Sequence, residues 1–578
     1  MYCGDETGAF VGDLGHTTSR FGYGGEDCPK SVVPSWTLAG DGSGGNKRQH
    51  KHASCPGSTL RVPPSLLANE DGDASDIVPI FDWSKSGGSC HPDDYLGSSG
   101  VVANWDAYEA AWSDAFSTLR VWDGRKHTTG SGGGGDTEEE RKCIHPLLAV
   151  DAGHTCYGRH EVKNRDKDAD AGSSASASAA AIEAAGPADP DERLRLQQRS
   201  KMMELLFEKF DAPAVFIAPS PMLAAFAHGR QTGLVVDVGG SGTRVTPIID
   251  GLVLRSAQRR SGRGGEWLGA VQERALTEFC GVKDVVPHYA LGPPPSAGAS
   301  GGSSSRRRTV KYGSGHALRK TTFHQVAMAD YMYEMLTGSH VNLQPWRQDL
   351  TVPFVGYEGD SKKRKRGGGG GGDGDGGDGS GSDDGDGPSD DDEAMETDNV
   401  EAGEEEVEGT SYTLPDGTRV DLAMSKPGKD LCRLPELLYT DEVPFETLDQ
   451  QNALSTFKSG QSVAQSTLSS LPVHRLAHAS LTAVGDGDAR KELCGNILLT
   501  GGASLFPNME ARLSYEMSNT APSAYKCKVV ASRNTVERRY APWIGGSILT
   551  SLGSFQQLWL SRAEYEEYGA TLGSDRFP

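Results

Sequence analysis

A tract reading LVVDVGGSGTR at residues 234–244 has the residue types that bind a phosphate group. Its apolar start predicts a buried strand that ends at Asp237. The glycines that follow allow a tight turn whose backbone N–H groups can approach an anion. The carboxylate could hold Mg²⁺ through water, because this ion binds few carboxylates and keeps several waters. One such hairpin is weak evidence, since turns of this composition are common.

The same pattern occurs twice in the chain. Residues 13–20 read DLGHTTSR and residues 237–244 read DVGGSGTR, each with Asp-x-Gly, a hydroxyl-rich turn and an arginine seven residues after the aspartate. A distant internal repeat suggests a duplicated domain. Two facing hairpins would hold a phosphate chain in the cleft between two halves. The alternative is a pair of ordinary glycine-turn hairpins.

Composition restricts the classes of function. The chain has 578 residues, which allows several domains, but its 75 glycines lie largely in tracts that cannot pack. More than half of the net charge of −22 comes from one stretch, with 17 acidic residues between Asp373 and Glu408 and five basic residues just before them. The remainder is only mildly acidic, so we expect no general attraction to nucleic acid.

Cysteine usage and hydropathy favour an intracellular protein. The ten cysteines are scattered, without a CxxC pair, which fits reduced thiols in the cytosol or nucleus. Metal ligands brought together by folding remain an alternative. The first residues, MYCGDETGAF, lack a basic region followed by an apolar run, so we expect no signal peptide. No stretch approaches 18 apolar residues, so we also expect no membrane span.

Strand and helix patterns alternate along the chain, which predicts an α/β protein. Trp105, Tyr108, Trp112 and Leu119 fall on one helical stripe and are expected in the core. A strand at 497–499 runs into a third glycine turn. Polar, low-complexity inserts are predicted at 39–76, 127–140, 152–190, 292–308 and 360–409. Such inserts are tolerated on surface loops, because the entropy of loop closure rises slowly with length.

The C-terminal third resembles the actin superfamily. The resemblance is carried by NILLTGGASLFPNMEARL (496–513) and TVERRYAPWIGGSILTSLGSFQQLWLSRAEYEEYG (535–569), and by blocks at 22–30, 101–112 and 201–239. Within the superfamily, the tracts GEDCPK, TVERR and YTLPDGTRVDL most resemble the nuclear actin-related proteins of chromatin-modifying complexes.

This resemblance implies a duplicated, two-lobed actin/Hsp70/hexokinase-type fold, with ATP and Mg²⁺ (or Ca²⁺) between the lobes and long disordered inserts. The implied division is 1–38 for the first phosphate hairpin of the outer lobe, 39–98 for a degenerate small subdomain with a disordered loop, 99–227 for the rest of the outer lobe, 228–264 for the second phosphate hairpin in the inner lobe, 265–464 for the outer subdomain of that lobe, 465–540 for its adenosine turn, and 541–578 for C-terminal helices of the outer lobe.

The resemblance also implies roles for particular residues. The metal is expected near Asp13 and Asp237, through water. The first phosphate loop is Gly15, His16, Thr17, Thr18 and Arg20, and the second is Gly239, Gly240, Ser241 and Gly242. The adenosine side is Thr500, Gly501, Gly502 and Phe506, with Arg539 as a basic contact.

Two departures from actin argue against an enzyme. Ser220 stands where actins have the glutamine that positions the attacking water, and Arg244 stands where they have the assisting histidine. Phosphoryl transfer to water needs an oriented nucleophile, so we expect ATP binding with slow hydrolysis and no catalytic residue. A low-complexity linker replaces the loop that joins actin subunits, so we expect no filament. A filament-forming ATPase of the cytoskeleton is the main alternative, and a sugar or acetate kinase of the same fold is a third.

The expected partners are nuclear actin and a helix of a remodeller's helicase subunit, in complexes that serve transcription regulation and DNA repair. That helix is predicted to dock in a groove containing Phe226, Ala227, Leu549 and Leu552. The basic run Lys362, Lys363, Arg364, Lys365 and Arg366 is predicted to be a nuclear localisation signal. The acidic tract after it could attract histones or simply aid solubility. We expect no sequence-specific nucleic acid binding and no membrane contact.

Overall fold

Two sheets of matching design form the centre of the protein. The computed structural model describes residues 8–38, 77–81, 101–123, 142–152, 190–278, 280–292, 308–336, 411–421, 431, 434–440 and 471–577. The predicted inserts lie outside these residues, apart from the ends of 152–190 and 292–308, and so does the basic run at 362–366.

The secondary structure alternates between strands and helices, as predicted. The strands are β1 (Phe10–Leu14), β2 (Thr18–Tyr23), β3 (Ser31–Pro34), β4 (Trp36–Leu38), β5 (Ile77–Pro79), β6 (Trp122–Asp123), β7 (Lys142–Cys143), β8 (Leu147–Asp151), β9 (Ala214–Pro219), β10 (Gly233–Val238), β11 (Thr243–Ile249), β12 (Leu252–Val253), β13 (Arg259–Ser261), β14 (Ser411–Thr413), β15 (Arg419–Asp421), β16 (Ile497–Thr500), β17 (Val529–Ala531) and β18 (Leu560–Ser561). The α-helices are α1 (Trp105–Leu119), α2 (Pro190–Glu204), α3 (Ser220–Ala227), α4 (Gly265–Glu278), α5 (Thr322–Leu336), α6 (Val473–Ala483), α7 (Gly487–Gly495), α8 (Met509–Thr520), α9 (Thr535–Arg539), α10 (Ala541–Thr550), α11 (Arg562–Tyr568) and α12 (Leu572–Arg576).

The outer-lobe sheet has the strand order β18-β9-β8-β1-β2-β3, and the inner-lobe sheet has the order β12-β11-β10-β16-β17, with β13 paired to β11. In each sheet, an antiparallel hairpin adds a parallel neighbour: β1 pairs with β2 and β8, and β10 pairs with β11 and β16. The C-terminal strand β18 joins the outer-lobe sheet through β9. The predicted two-lobed, duplicated α/β fold is therefore confirmed, while the exact segment boundaries stay a prediction.

The two hairpins agree in register as well as in sequence. Asp13 pairs with Arg20 across β1 and β2, and Asp237 pairs with Arg244 across β10 and β11. Cross-strand partners lie side by side on one face of a sheet. The seven-residue spacing seen in the sequence therefore places an aspartate beside an arginine in both lobes.

Helices α3 and α10 pack between the two sheets at unusually close range. A Cβ at Gly545 of α10 would overlap the carbonyl oxygen of Leu223 in α3. Small side chains of the two helices, including Ala225 and Ala541, pack in one buried cluster with Leu498 of the inner-lobe sheet. Because only glycine and alanine permit this approach, the small residues of both helices fix how the lobes meet.

One predicted helix has a different geometry at its end. The sequence of residues 192–210 has the apolar periodicity of a single amphipathic helix, but α2 passes into a π-helix at Leu205–Lys209. The N–H of Phe210 donates to the carbonyl of Leu205 at 3.3 Å, which closes the wider turn. Leu206, Phe207 and Phe210 are all buried there, as the predicted apolar face requires. In the described part of the chain, no helix is both long enough and apolar enough to cross a bilayer.

Candidate functional site

A cavity of about 210 Å³ lies where the two hairpins face each other. Its wall contains the turn after β1, the turn after β10, the end of β16 and one side of α5. The predicted nucleotide-site residues found in this wall are Asp13, Gly15, His16, Thr17, Thr18, Arg20, Asp237, Gly239, Gly240, Ser241, Gly242, Thr500, Gly501, Gly502 and Arg539. Residues far apart in the chain thus meet around one space.

Phe506 is the exception, because it is not in this wall, and its role beside the adenosine stays a prediction. Its side chain is 2 % exposed and packs in the apolar core of the inner lobe, away from the cavity wall. It follows the 3-10 turn at Gly502–Leu505, which carries the chain inward after the cavity-lining glycines. Burial of an aromatic ring in the core is favourable, so Phe506 stabilises the inner lobe next to the glycine turn.

The two carboxylates are neutralised differently. Arg20 donates to Asp13 at 2.8 Å, so Asp13 has an ion-pair partner within its own hairpin. Burial raises the pKa of the Asp237 carboxyl, and the charges of Arg244 and Arg20 act in the opposite direction. The charge of Asp13 also raises the pKa of Asp237, so the two carboxylates repel each other across the cavity. A positively charged ligand between them would relieve that repulsion.

These residues fit a polyphosphate with its cation. A Cβ at Gly240 would lie 2.8 Å from Thr17 Oγ1, so only glycine lets the two turns approach this closely. The N–H groups of Gly265 and Glu266, at the start of α4, donate to the carbonyls of Gly239 and Gly240 and hold the second turn. No group of three or more acidic, His or Cys ligands exists among the described residues. A cation here would need water and phosphate oxygens besides Asp13 and Asp237.

One side of the cavity presents an aromatic ring that the sequence analysis missed. Tyr333 of α5 donates through its hydroxyl to the carbonyl of Gly502 at 2.8 Å and accepts from Arg539 Nη2 at 3.0 Å. The guanidinium of Arg539 lies over the ring, 5.5 Å from its centroid. The neighbouring Thr500 Oγ1 donates to the carbonyl of Arg538 at 2.8 Å, which ties the glycine turn to α9. An apolar helix pattern gave no signal for this role of Tyr333.

The lobes also contact each other at one wall of the cavity. Trp36 of β4 is 2 % exposed and packs edge-on against Phe323 of α5, with centroids 6.5 Å apart. Ile77, Leu318 and Val326 complete this buried cluster, which combines residues of both lobes. We call Trp36, Ile77, Leu318, Phe323 and Val326 the clasp. Trp36 and Val326 also line the cavity, so the clasp forms part of its wall.

A polar contact lies beneath the clasp. His16 Nε2, in the first turn, is 3.0 Å from Glu266 Oε1 at the start of α4, and both side chains are largely buried. The sequence analysis assigned His16 to the first phosphate loop and did not single out Glu266. The two lobes therefore meet at the cavity through the apolar clasp and through the approach of His16 to Glu266.

Ser220 and Arg244, the two positions expected from the resemblance to differ from actin, both line the cavity. Ser220 is the first residue of α3, and Arg244 donates to the carbonyl of Ala152, which follows β8 of the outer lobe. Arg244 is a permanent cation with no acceptor lone pair, so it cannot take a proton from water.

The predicted partner groove lies on α3 and α10, which touch each other. Phe226 and Ala227 are half-buried at the end of α3. Leu549 is only 8 % exposed and belongs to the outer-lobe core, whereas Leu552, just beyond α10, is 47 % exposed. Ile548 is exposed too, and was not predicted. Leu552 and Ile548 thus offer apolar surface, while Leu549 supports it from within.

A sequence model of the actin family matches residues 4–150, 189–346 and 384–578. The chain belongs to the actin family. Similar curated proteins are described as actin-related protein 4: that of Arabidopsis thaliana is 28 % identical over 99 % of this chain and 98 % of its own length. Those of Mycosarcoma maydis and Oryza sativa subsp. indica are 27 % and 26 % identical, with the same coverage. The tracts GEDCPK, TVERR and YTLPDGTRVDL resemble the same class of actin-related protein. The family implies that the cavity binds a nucleotide.

We expect the clasp to limit opening of the cleft. Trp36→Ala removes the largest buried side chain of the clasp, so amide hydrogen exchange in β4, β5 and α5 should accelerate by about tenfold or more. Trp105→Ala is the control, because Trp105 packs on Tyr108 in α1 outside the cavity wall. Unchanged exchange around the cleft, or the same change in both variants, would contradict this role.

Proposed function

We propose that the protein is a nuclear, non-polymerising actin-related subunit of chromatin-remodelling and histone acetyltransferase complexes, in which bound ATP stabilises the fold and is hydrolysed slowly or not at all. One observation supports the proposal: the cavity is lined by both Asp–Arg hairpins, together with Ser220 and Arg244, which we assign by resemblance to the positions where actins activate water. The relatives named actin-related protein 4 support the same class.

The contacts of the cavity support binding without turnover. When bound, the cation would neutralise phosphate oxygens between Asp13 and Asp237, and the glycine turns would surround the phosphates with backbone N–H groups. Arg539 and Tyr333 would face the nucleoside. Hydrolysis needs, in addition, a group that orients water for in-line attack. Ser220 is short and Arg244 cannot accept a proton, so neither meets that need.

The rival function is a filament-forming ATPase. Filament growth needs complementary surfaces at both ends of each subunit, and the low-complexity sequence at 39–76 argues against one of them. Sedimentation in ATP and Mg²⁺ separates the two functions: the proposed subunit stays in the supernatant at concentrations at which actin-like proteins pellet.

Nucleotide binding should contribute to stability, because a ligand that binds only the folded state shifts unfolding by mass action. We expect saturating ATP with Mg²⁺ to raise the melting temperature of the wild type by several degrees. Asp13→Ala, which removes a carboxylate and leaves Arg20 without its ion-pair partner, should largely abolish that rise. Asp27→Ala is the control, since Asp27 is exposed just beyond the same hairpin. Equal shifts in both variants would contradict the assigned role of Asp13.

The partner helix is proposed to dock on the exposed part of the groove. An amphipathic helix would bury Leu552 and the neighbouring half-buried Phe226 and Ala227. Leu552→Asp should therefore weaken co-purification with the helicase-subunit helix by about tenfold or more, because a charge would be desolvated in the interface. Its melting temperature should change little, because Leu552 is 47 % exposed in the free protein.

The matched control is Val310→Asp, an equally exposed aliphatic residue outside the groove. A Leu552→Asp protein that unfolds would show that Leu552 belongs to the core. A variant that binds normally would place the partner on another surface.

Nuclear import is proposed to depend on the basic run 362–366, which is compact and followed by glycines. Changing all five residues to alanine should leave a tagged protein in the cytoplasm. If it still enters the nucleus, the isolated segment is fused to a reporter. A reporter that stays in the cytoplasm shows that the basic run is inert. A reporter that enters the nucleus shows that the run is a signal and that the mutated protein is imported with a partner such as nuclear actin. The acidic tract is proposed as a contact for histones, and its deletion should then weaken histone retention.

A further inference from the structure

Arg244 is placed to interact with a ligand at one end of the cavity. It lies on β11, beside Asp237 on β10 and beside Arg260 on β13. Its guanidinium crosses the cleft and donates to the carbonyl of Ala152 in the outer lobe. Both residues line the cavity together with Ser220. An inner-lobe cation thus touches the outer lobe inside the site.

The arginines near the two turns differ in their partners. Arg20 is committed to Asp13 at 2.8 Å. Arg260 is buried and donates weakly to Ser241, at 3.3 Å to its carbonyl and 3.4 Å to its hydroxyl. Arg244 bonds a neutral carbonyl and, within the described chain, makes no ion pair within 4 Å, although its charge acts on Asp237. A neutral acceptor satisfies a guanidinium less well than an anion does.

The position of Arg244 relative to the nucleoside side indicates which anion it would meet. Tyr333, Arg539 and Gly502 form one connected group, on the side assigned to the nucleoside. Asp237 pairs with Thr500 of β16 on one side and with Arg244 of β11 on the other, so the second glycine turn, where the phosphates would lie, is between the nucleoside side and Arg244. Ala152 and Ser220 follow β8 and β9 of the outer lobe, and Arg244 reaches toward them. A phosphate chain that starts at the nucleoside side would therefore bring its terminal phosphate to Arg244.

We propose that Arg244 selects a nucleoside triphosphate over a diphosphate, by exchanging the carbonyl of Ala152 for the terminal phosphate. This inference rests on the nucleotide site of the proposed function. A guanidinium binds phosphate oxygens through two parallel N–H bonds, which a carbonyl cannot match. A diphosphate would leave Arg244 on Ala152 and gain nothing from it. Arg244 cannot accept a proton from water, and the same residue would increase the affinity of the site for the unhydrolysed triphosphate.

The test is equilibrium binding of a non-hydrolysable ATP analogue and of ADP, each with Mg²⁺, to nucleotide-free protein by calorimetry. The wild type should prefer the triphosphate by about tenfold or more, the effect of one charge-assisted hydrogen-bonded contact. Arg244→Gln should lose that preference, with triphosphate affinity falling about tenfold and ADP affinity changing less than about threefold. Arg230→Gln, an exposed arginine outside the cavity, is the matched control.

Arg244→Lys keeps the charge but cannot form two parallel N–H bonds. This variant should retain part of the preference for the triphosphate. If Arg244→Gln melts early, this second variant decides: an unchanged preference overturns the inference. Equal losses for both nucleotides in Arg244→Gln would also overturn it, because they would indicate a structural role. Wild-type protein that binds neither nucleotide would instead overturn the proposed function, and the inference with it.

Discussion

Thr17 on the first hairpin lies against Gly240 on the second, with no room for a methyl group between them. This approach of two turns, one from each lobe, sets the geometry of the whole site. It brings Asp13 and Asp237 within electrostatic reach of each other, and it places two aspartate–arginine pairs of the same register around one space. The close packing of α3 on α10, which Gly545 permits, holds the lobes in the relation that this approach requires.

The remaining contacts across the cleft also hold the two lobes together. The clasp, with Trp36 against Phe323, joins the lobes at one wall of the cavity, and His16 approaches Glu266 of the other lobe. Such contacts stabilise a subunit that keeps its ligand, because ligand affinity and lobe contacts both favour the folded state. They are therefore compatible with the stable, slowly hydrolysing subunit proposed above.

Much of this could be predicted from the sequence, because local patterns determine it. Neighbouring residues determine the repeated Asp-x-Gly hairpins, the strand at 497–499 and the Ser561–Glu564 capping box. Both hydrogen bonds of that capping box are present. Contacts between distant segments were not accessible: Tyr333 looked like an ordinary core residue of a helix, yet its hydroxyl reaches Gly502. The polar helix α7 was missed because only Leu493 and Cys494 are buried in it, although Asp486 caps it. The sequence also did not indicate that Phe506 packs in the core outside the cavity wall, because position in a family motif does not specify the direction of a ring.

The central claim is that this site holds ATP without consuming it. Its most direct test is the identity of the nucleotide that stays with the protein. Nucleotide-free protein is loaded with ATP and Mg²⁺, separated from free ligand, incubated for several hours at 25 °C and denatured, and the released nucleotide is separated by chromatography. The account predicts that the bound nucleotide is still mostly ATP, at close to one per chain. Mostly ADP, with stoichiometric phosphate released into solution, would contradict it.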